Sequence, residues 1–359
     1  MKILNIINSF NYGGAENLLL NSLPFFEKYG HEVEVLSLSN NLKLNISEYE
    51  ELINYVNIDN PKSLRSFLAL LVFLKKNKYD IIHAHLFPTI YYVSLLKKIG
   101  VFNTPLVITE HNTHNKRRDI NLLKPIEKFI YNSFDEVICI SKGTKDNLSD
   151  WIKRDQNLDI VYNGINLKRF TYVRPKYKYE FKNEIKIIMV ASFSKQKDQL
   201  TVIKSLKRLP KKFRVYFAGE GNKLKQAKAL TKGLGLSNRV VFLGNRSDIP
   251  DLLKKMDLFV LSSNWEGFGL VVVEAMASGL PVIASDINGV AEIVKGYGEL
   301  FKKGNEKDLA NKIEKVAKDN RLYEELSNNS IKRAKKFSMQ NMVENYINIY
   351  ENILEDFNE

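Results

Sequence analysis

Two apolar patterns alternate along the chain. Short runs rich in isoleucine, valine and leucine are bounded by Gly, Pro, Asn and Asp, and read as buried strands. Between them lie longer stretches whose apolar residues recur every three or four positions, the spacing of a helix face. The first half reads "KILNII" as a strand, then "NSFNYGGAENLL" as a loop and helix start, then "HEVEVLSL" as a strand. "SLRSFLALLVFLKKNK" follows as a helix, "YDIIHAHL" as a strand and "TIYYVSLLKKIG" as a helix. "PLVITEHN" is a strand, "LLKPIEKFIYNSF" a helix, and "DEVICIS" and "LDIVYNGI" are strands. The run Phe67 to Leu74 is too short to span a bilayer and suits a buried helix that ends in positive charge at Lys75 and Lys76.

The alternation restarts after a charged, Tyr/Lys-rich linker, Arg169 to Glu184. "IKIIMVASF", "FRVYFAGEG", "RVVFLG", "DLFVLSS" and "LPVIASD" read as strands, with helical stretches between them and helices from there to the end. Strand–helix alternation of this kind builds parallel sheets covered on both faces, and such sheets bind ligands beyond the carboxyl ends of their strands. The fold expected is α/β, with two Rossmann-like parallel-sheet domains facing across a cleft. A chain of 359 residues fits two such domains.

Charge and cysteine content narrow the class. The chain carries +13 at pH 7, yet Met1 to Ile165 holds 19 basic against 18 acidic residues. The excess concentrates between Asn166 and Lys232, with 19 basic and 4 acidic. That balance suits a nucleotide diphosphate, an anionic surface or a solvated basic face. No Arg-rich run, Cys/His finger or RNA-binding aromatic pattern accompanies it, so nucleic acid is not expected as a partner. Cys139, the one cysteine, sits in "EVICIS" and reads as a small buried hydrophobe. The start "MKILNII" reads as a first strand rather than an export signal; with one cysteine a reducing cytoplasm is expected, including the inner face of the cell membrane.

Chemistry concentrates in "NWEGFGLVVVEAMASGLPVIASD", Asn264 to Asp286. Gly267 and Gly269 permit a backbone approach that side chains would block. A helix expected to start near Phe268 would present its free N–H groups to an anion. Glu274, seven residues after Gly267, is placed two turns on and on the side of the helix start; Glu266 lies in the loop before it. Carboxylates repel phosphate, so both read as acceptors for ribose or sugar hydroxyls. The plain alternative is a dipole-complementing Glu with a second one by coincidence.

Glu266-Gly-Phe-Gly-Leu…Glu274-Ala-Met-Ala-Ser-Gly-Leu-Pro-Val resembles the E-x7-E pattern of the retaining GT-B glycosyltransferases of family 4. "NYGGAE", "HAHL", "VITEHN", "VYNGIN", "ASFSKQKDQLTVIKSL", "FAGEGNKLKQAKALTKGLGLSNRVVFLG" and "PVIASDINGVAEIV" resemble further family segments, in the family's order and over nearly the whole chain. The resemblance implies an acceptor-binding domain over 1–166, joined by a C-terminal helix, 337–359, that crosses back. It implies a donor-binding domain over 167–336. The amides of Gly267, Phe268, Gly269 and Leu270 would bind the donor diphosphate, Glu266 the sugar hydroxyls and Glu274 the ribose. Lys197 would neutralise the leaving diphosphate. Ser192 stands where many relatives carry arginine, five positions before that lysine, with Lys195 a weak substitute. Gly13 and Gly14 would approach the diphosphate from the first domain. His111 resembles the family histidine that faces the donor sugar. Glu266, His111 and Lys197 are the catalytic candidates.

His83 and His85 flank Ala84 and are read as pointing to opposite faces of their strand, one of them toward the ligand. Arg246, or the backbone of Gly244–Asn245, could read the nucleobase; alternatively Asp248 or Ser247 caps a helix and Arg246 is solvated. Neither Asp-x-Asp nor a metal-ligand spacing occurs, so no metal and no cofactor are expected. "HNKRRDINLLKPIEKFIYN", His114 to Asn132, joins Lys116, Arg117 and Arg118 to spaced apolar residues. It reads either as an amphipathic helix packed on its own sheet or as a basic segment lying on an anionic membrane.

The implied reaction moves a sugar from a nucleotide-diphosphate sugar, with retention, to a glycan or lipid-linked acceptor in surface-polysaccharide assembly. A UDP-sugar is the first choice. A GDP-sugar for mannosyl or fucosyl transfer is the runner-up. The rival from another class is a dinucleotide-dependent oxidoreductase, suggested by "AGEGNKL", although Leu224 replaces its third glycine.

Overall fold

The computed structural model describes all residues except 12, 42, 43, 45, 57, 114, 115, 172–182 and 359. Most of the linker expected over Arg169 to Glu184 therefore lies outside the described residues. The chain forms two compact units, Met1–Gly164 with Met339–Glu359, and Ile165–Ser338.

In the first unit β1 (Lys2–Ile7), α1 (Gly14–Lys28), β2 (Glu32–Ser37), β3 (Ile53–Tyr55), α2 (Leu64–Lys76), β4 (Ile81–His85) and α3 (Thr89–Lys98) come in turn. β5 (Leu106–Glu110), α4 (Lys124–Tyr131), β6 (Glu136–Cys139), α5 (Lys142–Ile152) and β7 (Leu158–Ile160) complete the run. All seven strands pair in parallel in the order β3-β2-β1-β4-β5-β6-β7. The second unit holds α6 (Leu167–Phe170), β8 (Ile185–Val190), α7 (Gln199–Leu206), β9 (Phe213–Ala218), α8 (Leu224–Gly233), β10 (Val240–Gly244) and α9 (Ile249–Lys254). It continues with β11 (Leu258–Leu261), α10 (Leu270–Ala277), β12 (Val282–Ser285), α11 (Ala291–Val294), β13 (Glu299–Phe301), α12 (Glu306–Lys318) and α13 (Asn320–Ala334). Its six parallel strands run β10-β9-β8-β11-β12-β13. The α/β class and both parallel sheets are as the sequence pattern implies. α14 (Met339–Asn358) belongs to the first unit, where Tyr346 and Tyr350 stack on Phe26 of α1.

The strands are buried on both faces, which is why they read as unbroken apolar runs: β4, β5, β6, β11 and β12 have no exposed position. Helix ends follow local chemistry. Ser63, Ser141, Asn305 and Asp319 each cap a helix by accepting from backbone N–H groups one turn ahead.

Several expectations fail for local reasons. β3 and β13, three residues each, are too short to show a periodicity, and β13 interrupts a stretch expected to be helical. α5, rich in Lys, Asp, Ser and Asn, buries only Gly143, Thr144, Leu148 and Ile152 and shows little apolar pattern. α2 is not fully buried: Ser66, Leu70 and Leu74 face inward, while Leu64, Leu68 and Val72 form an exposed stripe. The segment His114–Asn132 is not one helix. Two 3₁₀ turns, Lys116–Asp119 and Asn121–Leu123, precede α4, and His114 and Asn115 lie outside the described residues. Arg117 and Arg118 turn inward to carboxylates. Arg117 donates to Glu127 at 2.9 Å, and Arg118 to Glu110 at 2.6 Å.

Cys139 closes β6 and is fully buried; burial pushes its thiol up to about 12. Since the thiolate is the reactive form, Cys139 should resist a disulfide thiol reagent in the folded protein at pH 8 and react at once in denaturant. A fast reaction under native conditions would show that β6 opens.

Candidate active site

Both sheets reverse their strand order once, between β1 and β4 and between β8 and β11. At such a switch point neighbouring connections leave in opposite directions and open a crevice above the carboxyl ends. In the second unit, the loops leaving β8 (191–198) and β11 (262–269) meet there.

Side chains stitch them together. Lys197 donates to Glu266 Oε1, with both side chains mostly buried. Ser263 Oγ donates to the same oxygen at 2.6 Å, and Gln196 Nε2 reaches Glu266 Oε2 at 3.4 Å. Gln196 also donates to the Trp265 carbonyl, and Asn264 Nδ2 to the Lys195 carbonyl. Ser262 Oγ donates to the carbonyls of Lys197 and Asp198. Gln199 Nε2 donates to the Ser192 carbonyl at 2.9 Å, while Ser192 itself stays exposed.

α10 begins at Leu270, after Gly269 at φ +93°, and not at Phe268. Gly269 supplies a left-handed residue that a side chain would oppose, and the helix is not capped by a side chain. Its first-turn amides stand at the switch point with the helix dipole behind them. Phe268 is buried and packs edge-on against Phe337, so only its main chain can serve a ligand. Glu274 lies about one turn into α10, not two, because Gly267 to Gly269 are outside the helix. Its carboxyl is raised to about 7 by burial, with the Arg169 charge of α6 opposing. Gly279, at φ +69°, follows the helix and lets the chain turn into β12.

Two further loops close the cradle. Gly289, φ +85°, lies after β12; a Cβ there would sit 2.6 Å from the Glu266 carbonyl and 2.7 Å from that of Gly267. Gly219 and Gly221 follow β9, and a Cβ on them would meet the Ala191 and Phe193 carbonyls at 2.2 and 2.3 Å. The "AGEG" glycines therefore serve the packing of one loop on another. Arg246 is held by Asp248 through two hydrogen bonds of 2.8 and 2.6 Å, and Asp248 makes no side-chain cap to α9. The Arg246 guanidinium is thus paired with its neighbour Asp248 at the surface.

The histidines belong to the first unit. His83 and His85 lie on the same face of β4, with ring centroids 4.2 Å apart. Strand side chains alternate with a period of two, so residues two apart share a face, contrary to the expectation of opposite faces. His83 bridges Tyr350 of α14 (2.5 Å) and Thr109 of β5 (2.8 Å). His85 contacts Asn5 of β1 at 3.1 Å and His111 at 3.5 Å. Burial holds all three neutral: His83 is lowered to about 3, His111 to about 4, and His85 also falls well below the ordinary range. Gly13 precedes α1 at φ −131°, which any residue adopts. Its missing Cβ leaves room for the Glu16 carboxylate. Gly14 is the first residue of α1. Among the described residues, no three His, Cys, Asp or Glu side chains gather to hold a metal ion.

The sequence reading missed Gln196, Ser263, Arg169, Gly289 and Asn5. Ser263 and Gln196 adjoin residues already singled out, and "DING" carries Gly289; Arg169 and Asn5 leave no comparable signal.

Gly289→Ala should lower stability by about 2 kcal/mol or more, since it adds backbone strain to a clash with main-chain oxygens. Thermal unfolding checks this; an unchanged melting temperature would mean that the 289 loop moves away freely.

Comparison with known proteins fits this arrangement. The model described as Glycosyltransferase Family 4 matches residues 12–169, and that described as Glycosyl transferases group 1 matches residues 175–336. An uncharacterized glycosyltransferase of Methanocaldococcus jannaschii is 29% identical over 378 residues, covering 96% of this chain and 93% of its own. The Escherichia coli UDP-Gal:alpha-D-GlcNAc-diphosphoundecaprenol alpha-1,3-galactosyltransferase is 29% identical over 265 residues, 68% of this chain and 67% of its own. The structure of Anabaena Alr3699/HepE in complex with UDP and glucose has a TM-score of 0.84 at 22% identity, over 98% of this chain and all of the other. At that identity the likeness speaks for the fold. With family models matching both halves and the fold shared end to end, this chain is a GT-B glycosyltransferase and belongs to glycosyltransferase family 4.

Proposed function

We propose that the chain transfers a hexosyl or N-acetylhexosaminyl group from a UDP-sugar, with retention and without a metal ion or cofactor, to a glycan or lipid-linked glycan. The carrying observation is the Lys197–Glu266 pair at the β8/β11 switch point, on the loops that lead into α10, the helix that carries Glu274. Support for UDP and for a lipid-linked acceptor comes from the Escherichia coli relative, whose donor is UDP-Gal and whose acceptor is a diphosphoundecaprenol. The solved Anabaena protein was captured with UDP and glucose. Surface-polysaccharide assembly from the cytoplasmic side of the cell membrane is the setting that suits such an acceptor.

In this reading the diphosphate lies at the amides of Gly267 to Leu270. Lys197 trades its bond with Glu266 for one with the diphosphate. Glu266, still held by Ser263 and Gln196, then accepts from a sugar hydroxyl. Glu274 accepts from the ribose. The acceptor oxygen forms a bond to the anomeric carbon on the face that the phosphate leaves. The carbon–phosphate-oxygen bond breaks with its electrons going to UDP, and the departing oxygen takes the acceptor's proton. Charge grows on the diphosphate as that bond breaks, so a fixed ammonium and helix dipole lower the barrier where they are needed. No protein nucleophile is required. The Ser192 position leaves Lys197 as the main side-chain cation in this role.

Glu274 gives a pH signature. A ribose that hydrogen-bonds to the carboxylate stabilises the charged form, so its pKa in the complex falls below the value of about 7 without ligand. Binding then releases a proton, and affinity rises with pH up to about 7 and levels off above it. UDP-glucose is a suitable probe because its diphosphate diester does not titrate in that range. By calorimetry, Glu274→Gln should abolish the pH dependence and weaken binding about ten- to a hundredfold, the range for lost hydrogen bonds to a charged group. Unchanged affinity in the variant would place the ribose elsewhere.

A further inference from the structure

Among the described residues, ten of the twelve large hydrophobic side chains left exposed lie in one stretch of the first unit, Leu64 to Phe129. α2, α3 and α4 lie side by side there. Phe67 packs edge-on against Tyr92, joining α2 to α3; Tyr91 hydrogen-bonds Glu127, and Lys98 stands over the Phe129 ring, joining α3 to α4. Their exposed positions include Leu68 and Val72 on α2, Leu95 on α3 with Ile99 just beyond its end, and Ile126 and Phe129 on α4. Val72 is 49% exposed, Ile99 66% and Phe129 53%. Scattered surface leucines need no explanation, but such a concentration on adjacent helices marks an interaction surface.

The charge on this layer is of one sign. α2 and α3 contain no acidic residue, and the one acid of α4, Glu127, is buried and bound by Tyr91 and Arg117. Arg65, Lys75, Lys76, Lys98 and Lys128 are exposed among the apolar side chains. A protein partner could match the apolar part alone. Apolar side chains interleaved with long basic ones, whose stems lie along the surface while their heads reach outward, match the boundary between acyl chains and anionic headgroups. No helix among the described residues is long and apolar enough to cross a membrane, so contact would be lateral.

We propose that the outer face of α2, α3 and α4 docks on an anionic lipid bilayer. This rests on the reading of a lipid-linked acceptor and deepens it by naming the surface that meets the membrane. It also moves the contact away from Arg117 and Arg118, which turn inward. The docking needs no bond chemistry: the apolar side chains enter the interface, and the lysines stay with phosphates at the headgroup level.

The test is flotation of the full chain with vesicles of phosphatidylcholine, with and without phosphatidylglycerol, at low and high salt. Binding should require phosphatidylglycerol and weaken as salt rises. Ile126→Ser with Phe129→Ser should weaken it about tenfold or more, and so should Lys98→Glu with Lys128→Glu. These positions are exposed, so unchanged melting temperatures would confirm that the variants fold. Absence of flotation at low salt overturns the proposal, as does flotation that neither pair of substitutions changes. A dimer that light scattering detects, and that the same apolar substitutions dissociate, would assign the face to a second copy of the chain instead. Because flotation needs neither donor nor acceptor, failed sugar transfer would leave this result standing. Lost flotation with transfer to a soluble acceptor intact would separate the two readings.

Discussion

The ion pair between Lys197 and Glu266 ties the two loops that flank the β8/β11 switch point, and the rest of the site depends on it. A lysine and a glutamate this enclosed are costly unless each has a partner. The site supplies several: Ser263 and Gln196 on the carboxylate, and the Ser262 and Asn264 bonds that hold the lysine's own loop. The arrangement satisfies both charges while leaving each able to exchange its partner for a ligand. A pair so placed is a reserve of polar groups at the point where an open parallel sheet can admit one.

Backbone approach is the second constraint. Gly289 lies against the Glu266 and Gly267 carbonyls, and Gly219 and Gly221 against those of Ala191 and Phe193. A side chain at these positions would clash with those main-chain oxygens and force the loops to shift. The glycines thus convert strand order into a cradle of fixed width around the start of α10. In the first unit, buried histidines play a comparable part. His83 joins β4 to β5 and α14, and His85 joins β1 to His111. Each is neutral because it is buried, which suits a hydrogen-bonding role rather than that of a fixed cation.

Much of this was legible in the sequence, and the exceptions are physical. Strands buried on both faces announce themselves as apolar runs, so β1, β4, β5, β8, β11 and β12 could be placed. The glycine pattern and Glu266, Glu274 and Lys197 could be found because their spacing is local. What could not be read is what depends on partners distant in sequence. Nothing in "HNKRRD" says that Arg117 and Arg118 answer Glu127 and Glu110 rather than solvent. The exposed stripe of α2 looked like core because hydrophobicity alone does not tell which side of a helix meets the sheet. The strand period of two puts His83 and His85 together on one face of β4.

We propose that this cradle performs glycosyl transfer with retention. It is tested most directly by supplying a panel of UDP-hexoses and UDP-N-acetylhexosamines with a diphosphoundecaprenol-linked glycan. UDP release and the anomeric configuration of the product would be followed in wild type, Lys197→Ala and Glu266→Gln. Turnover of one donor, a product with the donor's own anomeric configuration, and a fall in kcat of about a hundred- to a thousandfold in each variant are expected. An inverted product, or full turnover without Lys197, would contradict it.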